Sequence, residues 1–186
     1  IGHDGRTLFP VMPYQDFRGF SDEDTASIVV YLRSLPAVHN PLPKRQLPFP
    51  LSRLINSAPQ PLNGPVVADT HDQIARGKYI AEIVCAGCHT PKDKMGKPIA
   101  GMKFAGGDSM DGHIYSANIT PDPSGISYYS EDLFVKALRT GYVGARPLNA
   151  PMPWWIFRNM SDDDLKAIFA YLKTVPPVHH RIDNSE

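Results

Sequence analysis

The chain has 186 residues, enough for one ordinary domain or two small ones. Its 19 basic and 19 acidic residues cancel, which argues against a nucleic-acid or anionic-membrane surface as the partner. No apolar run approaches the length needed to cross a bilayer, and 19 prolines imply short helices joined by long, stiff loops, so an all-α architecture is expected.

In chain order, the first recognisable pattern is Met12-Pro13-Tyr14, followed by Phe17-Arg18 and by Ser21-Asp22-Glu23-Asp24. Ser21 is a good N-cap for a helix carrying Ile28, Val29 and Leu32 on one apolar face, which is expected to pack inward. From Pro36 to Pro65 inclusive there are eight prolines, a density that excludes a long helix and favours an extended, semi-rigid connector. Near Asp69 or Thr70, either of which can cap, a second helix is expected to run through Gln73 to Glu82. Gly77 costs about 1 kcal/mol relative to Ala inside that helix, which points to close helix packing.

The helix leads into Cys85-Ala86-Gly87-Cys88-His89, the c-type haem attachment pattern. In this pattern the thiols add across the porphyrin vinyl groups and the adjacent imidazole coordinates the iron. The chain has only two cysteines, so these residues can attach one haem. A zinc site would need a second ligand pair, and a thioredoxin-like redox pair would need a preceding strand. The sequence supplies neither.

Residues 90–112 are rich in Gly, Lys and Pro and are expected to be loop. Ser130 then caps a short helix containing Leu133, Phe134, Ala137 and Leu138, which Gly141 stops. Ser161, with acidic residues through the first turn and Asp164 at the third helical position, opens a last helix. Its apolar stripe is Leu165, Ile168, Phe169 and Leu172, and Pro176 ends it.

The two ends of the chain repeat each other. Met152-Pro153-Trp154, Phe157-Arg158, Ser161 to Asp164, and the helix ending before Pro176 and His179 each lie 140 positions after their counterparts (152 against 12), without a gap. Arg6 and Arg146 share that offset. The expected organisation is an incomplete first unit at 1–40 without a haem motif, a proline-rich linker at 41–68, and a complete haem-binding unit at 69–186.

These residues resemble class I cytochrome c domains, and more closely the multi-haem cytochrome c subunits of bacterial membrane-associated dehydrogenases. The resemblance covers the whole second unit: Gly77, Cys85-x-x-Cys88-His89, Asn118-Ile119-Thr120-Pro121-Asp122 with Gly125-Ile126, Glu131 to Gly141, and Pro151-Met152-Pro153 with the closing helix. It implies a cytochrome c fold of short helices and long loops around covalent haem c, with part of a second such unit in front. Residues 1–38 match only the later half of a domain, so Ile1 is expected to be a cut through a longer polypeptide.

The resemblance further implies that Met152, held between two prolines, is the second axial ligand opposite His89. Met102 and Met110 are reserve candidates, and Met95 and Met160 are expected to be surface or packing residues. Met12 can serve only a haem whose cysteines lie outside this sequence. Asn118, Trp154 and Arg139 are expected around the haem, with Arg146, Tyr115, Trp155 and Phe157 as further candidates. Seven histidines are present, and all except His89 lack ligand spacing and are expected to face solvent.

Such a chain would be an electron carrier and not an enzyme, outside the cytoplasm. It would take electrons from a dehydrogenase catalytic subunit or a neighbouring haem and pass them to an oxidase, a quinone or another cytochrome. A peroxidase-like enzyme or a gas sensor with displaceable Met152 is the alternative.

Overall fold

The computed structural model describes residues 7–9, 12, 14–43, 45–57, 62–109 and 112–183. The chain divides into two compact units, residues 1–68 and 69–186, so that residues 41–68 belong with the first.

In the first unit, α1 (Tyr14–Phe17) is followed by α2 (Asp22–Ser34). Ser21 caps α2 as expected, accepting from the Asp24 amide at 3.0 Å. Among its described residues, the proline-rich segment contains α3 (Leu51–Leu54) and a 3₁₀ turn at Ile55–Ser57. It returns to the start of α2, where the Asp22 amide donates to the Val66 carbonyl at 2.9 Å. The expectation that α2 packs its apolar face inward is not met. Among the described residues, Ile28, Val29 and Leu32 are each more than two-fifths exposed, and no residue of α2 is buried. Amphipathicity sets which face is apolar, but covering it takes a second element, and the described residues of this unit offer none to that face.

The second unit consists of α4 (Gln73–Val84), α5 (Ala86–His89), α6 (Glu131–Thr140), the strands β1 (Tyr142–Val143) and β2 (Arg146–Pro147), α7 (Trp154–Phe157) and α8 (Asp162–Leu172). The two-residue ladder, with Val143 opposite Arg146, is too short to produce an alternating sequence pattern. The cap of α4 is Asp72, whose carboxylate accepts from the Ala75 amide at 2.7 Å. Asp69 instead engages His71. Ser130 and Ser161 cap α6 and α8 as expected, and the Ser161 hydroxyl also donates to Asp164 at 2.8 Å. Gly141 ends α6 at φ +77°, with the Trp154 indole packed over it where a side chain would stand.

The core forms where α8 crosses α4. Leu165, Ile168, Phe169 and Leu172 are all buried together with Ala81, Phe104, Phe134 and Leu138. Burial of such side chains contributes roughly 1.5–3 kcal/mol each relative to exposure. At the edges of the crossing, Arg76 pairs with Asp164 at 2.6 Å and the Tyr171 hydroxyl donates to Glu82 at 2.8 Å. After α8 the chain runs back over the loop at 105–125. There the Asn118 amide nitrogen donates to the carbonyls of Val178 and His180 and to the Ser124 hydroxyl. His180 is therefore half-buried over Gly107 and bonds the Ala105 carbonyl, contrary to the expectation that it faces solvent. No helix among the described residues is long and apolar enough to cross a membrane.

Candidate functional site

The end of α4 determines how the Cys85 to His89 segment is presented. The Cys85 amide still bonds back to Ala81 at 2.9 Å, and the His89 amide bonds the Cys85 carbonyl at 2.9 Å, so the motif forms a further helical turn. Cys85, Cys88 and His89 border one cavity of about 670 Å³ whose other walls come from α6, α8, the loop at 114–129 and the segment 146–153. That volume falls within the range of cofactor pockets, and the lining is mostly apolar.

His89 is buried, and its Nδ1 lies 2.7 Å from the Ala117 carbonyl oxygen. A carbonyl can only accept, so Nδ1 carries the hydrogen and Nε2 keeps its lone pair. Burial lowers the imidazole pKa, against the smaller opposing effect of the Ala117 bond, and so favours the neutral ligand form. Burial likewise pushes the Cys85 thiol up to about 12, so it is not a thiolate at neutral pH. Among the described residues no three His, Cys, Asp or Glu side chains are grouped to hold a metal ion.

Met152 lines the same cavity, between Pro151 and Pro153. Its backbone is fixed from both sides: its amide donates to Asn149 at 3.0 Å and its carbonyl accepts from Trp154 at 2.8 Å. Met12 has the same local arrangement, with bonds to Phe9 at 3.0 Å and from Tyr14 at 2.7 Å, and is exposed. Met160 also borders the cavity, whereas Met95 and Met102 do not. Met110 lies outside the described residues.

The expected surround is redistributed. Asn118 borders the cavity, but both ends of its amide are engaged by protein, the oxygen accepting from Thr120 at 2.9 and 2.8 Å. Arg139 does not reach the cavity, because its guanidinium bonds the Arg158 carbonyl and Asp162. Trp154 is turned away as well, onto Gly141 and beneath Arg158, and Trp155 is exposed. Tyr115, Phe157 and Arg146 do line the cavity. Sequence reasoning missed Tyr128, Tyr129, Ile126 and Leu148. The Ser-Tyr-Tyr-Ser run just before α6 was the available signal for the tyrosines, and the Gly125-Ile126 pair for Ile126.

Two thiols, a neutral imidazole with a free Nε2 and a thioether around one apolar cavity fit a covalently attached haem. A family model described as "Cytochrome C oxidase, cbb3-type, subunit III" matches residues 72–172. The fructose dehydrogenase cytochrome subunit of Gluconobacter japonicus is 34% identical over 95% of this chain and 39% of its own length. The cytochrome c subunit of the alcohol dehydrogenase (quinone) of Gluconacetobacter polyoxogenes is 30% identical over 96% of this chain and 42% of its own. A diheme cytochrome c-type protein of Cereibacter sphaeroides is 28% identical over 91% and 60%. The chain spans about two-fifths of the length of the first two relatives. A family match across more than half of the chain, spanning the haem motif and most of its cavity, leads to one conclusion: the chain belongs to this cytochrome c family, and its cofactor is covalently bound haem c.

Proposed function

We propose that the chain is an electron-transfer segment of a cytochrome c subunit that serves a membrane-associated dehydrogenase outside the cytoplasm. In this reading Cys85 and Cys88 would hold haem c through thioether bonds, and His89 and Met152 would supply the ligands to its iron. The supporting observation is the single cavity bordered by all four residues, with the His89 imidazole held as an Nδ1–H donor to Ala117. Bound haem c supplies one-electron cycling between ferric and ferrous iron.

The chain's own residues would determine how that electron moves. Ala117 holds the His89 ring in one tautomer and one orientation, which limits rearrangement at the metal between oxidation states. As a ligand, the Met152 thioether would favour the reduced metal and would keep substrate from it, so the site would pass electrons rather than bind substrate. Neither a peroxidase nor a sensor is among the relatives named above.

The partner that donates electrons would be a dehydrogenase catalytic subunit, as the relatives' names suggest, and the acceptor an oxidase, a quinone or another cytochrome. Where the native polypeptide extends upstream, Met12 would stand toward a second haem as Met152 does toward the first, a role supported by the matching backbone bonds around both methionines. The units at 1–68 and 69–186 would then be successive stations.

The test is the intact mass and haem count of the native subunit, together with spectra of the Cys85→Ala/Cys88→Ala variant. One haem covalently bound to residues 1–186, lost in the double variant, is the expected result. A protein without covalent haem at this motif would overturn the reading. A second haem upstream would support the role given to Met12, and a native chain with a single haem would remove it.

A further inference from the structure

We infer that Arg146 is the cationic partner of a haem propionate in the second unit, a role that rests on the haem-binding reading of the cavity. Haem c carries two carboxylates. Placing a carboxylate against a largely apolar wall costs several kcal/mol unless a donor or cation meets it. Arg146 is the only lysine or arginine among the described residues lining the cavity. The rival candidates are spent elsewhere: Arg139 on Arg158 and Asp162, and the Asn118 amide on Ser124, Val178 and His180. The other charged residues on the wall, Asp108 and Asp183, are acidic and would repel a carboxylate.

The local fold fixes the backbone of Arg146, an exposed residue, at the cavity wall. It sits in β2 opposite Val143, and the hairpin is closed by Gly144 at φ +62° and by the Leu148 amide donating to the Gly141 carbonyl at 2.7 Å. Tyr129 lines the same wall, and burial first, then its hydrogen bond with Tyr128, holds its phenol protonated. The guanidinium thus brings a planar fork of N–H donors to the wall, an arrangement suited to bidentate recognition of a carboxylate.

The repeat supports the same role independently. Arg6 precedes Met12 by the spacing at which Arg146 precedes Met152. A surface arginine without a task has no reason to keep its distance from the ligand methionine in both units.

The experiment uses holoprotein made with δ-aminolevulinate carrying ¹³C at C1, which labels the haem carboxyl carbons, and compares wild type, Arg146→Gln and Arg146→Lys. R146Q is expected to shift the labelled carboxylate stretch in redox-difference infrared spectra and to lower the midpoint potential, because a carboxylate without its cation favours ferric iron. R146K keeps the charge but loses the fork, and is expected to shift the band less. Labelled bands unchanged by R146Q, with haem attached at Cys85 and Cys88, would overturn the assignment. If R146Q does not load haem, R146K decides: a shifted band supports the pairing and an unshifted band overturns it. A wild-type protein with no haem on the two cysteines would instead defeat the underlying reading of the cavity.

Discussion

Gly77 of α4 lies directly against the backbone of Ala167 in α8: a Cβ built on Gly77 would stand 1.8 Å from the Ala167 carbonyl oxygen. That approach allows the two helices to bury Ala81, Leu165, Ile168 and Leu172 between them and behind the haem cavity. Gly77→Ala has two opposing effects. Helix propensity gains about 1 kcal/mol, while overpacking costs roughly 1–3 kcal/mol, here at the upper end because the obstructing atom is backbone and cannot rotate away. A net loss of about 2 kcal/mol is expected, read as a lower unfolding midpoint of the holoprotein in urea. An unchanged midpoint would mean that the helices separate without penalty.

The repeat places Leu32 and Leu172 at the same helical position with opposite surroundings. Leu172 is fully buried and Leu32 is 58% exposed. Leu172→Ala should therefore cost about 2–5 kcal/mol by opening a cavity in the core. Leu32→Ala in the 186-residue chain should stay within about 0.5 kcal/mol, as for a surface site. Chemical denaturation of both variants checks the contrast. A comparable loss at Leu32 would show that the face of α2 is covered in solution.

Met152 separates electron carriage from chemistry at an open metal position. The reduced native protein is expected not to bind carbon monoxide. Met152→Ala should bind it and should show a lower midpoint potential, since the thioether favours the reduced metal. Absorption spectra under carbon monoxide and a redox titration give both readouts. Carbon monoxide binding by the reduced native protein would revive the sensor alternative.

What could be read from the sequence was governed by local rules. Ser130, Ser161 and the Leu165 to Leu172 stripe behave as capping and periodicity require, and Gly77 signalled a close crossing. Positions that depend on a competition were harder. Asp69, Thr70 and Asp72 all suit an N-cap, and the choice fell to Asp72 because Asp69 turns to His71. The cavity wall was least legible. Arg139 and Trp154 are the right residue types near the right motif, yet one is drawn to Asp162 and the other onto Gly141. Arg146 reaches the cavity through a hairpin of two-residue strands that leaves no periodic trace. The face of α2 shows the same limit, since a pattern marks the apolar side of a helix but not what covers it.

The return of the chain after α8 makes an acid-sensitive joint. Asp122 accepts from the Ser124 amide at 2.8 Å and from the Ser124 hydroxyl at 2.6 Å, and lies 3.1 Å from His179 Nδ1. The Ser124 hydroxyl in turn accepts from Asn118 and from the His180 amide, each at 3.0 Å. The bonds from Ser124, with a smaller contribution from His179, hold the Asp122 carboxyl below its ordinary value of 3.8. A carboxyl depressed in the folded state stabilises the fold at pH values above its unfolded pKa, and loses that contribution as pH falls through the lower folded value. The wild type should therefore lose this contribution below about pH 4. Asp122→Asn removes the carboxylate, so it should be less stable than wild type near neutrality and should close that gap as the medium is acidified. Asp162, depressed by Arg139, titrates in the same direction in both proteins and leaves the difference intact. Thermal unfolding of the two holoproteins between about pH 6 and pH 3 measures the gap. A gap that stays constant down to the lowest pH would show that Asp122 is not held ionised by the joint, and that the segment 178–180 is secured by its bonds to Asn118, Thr120 and Ala105 instead.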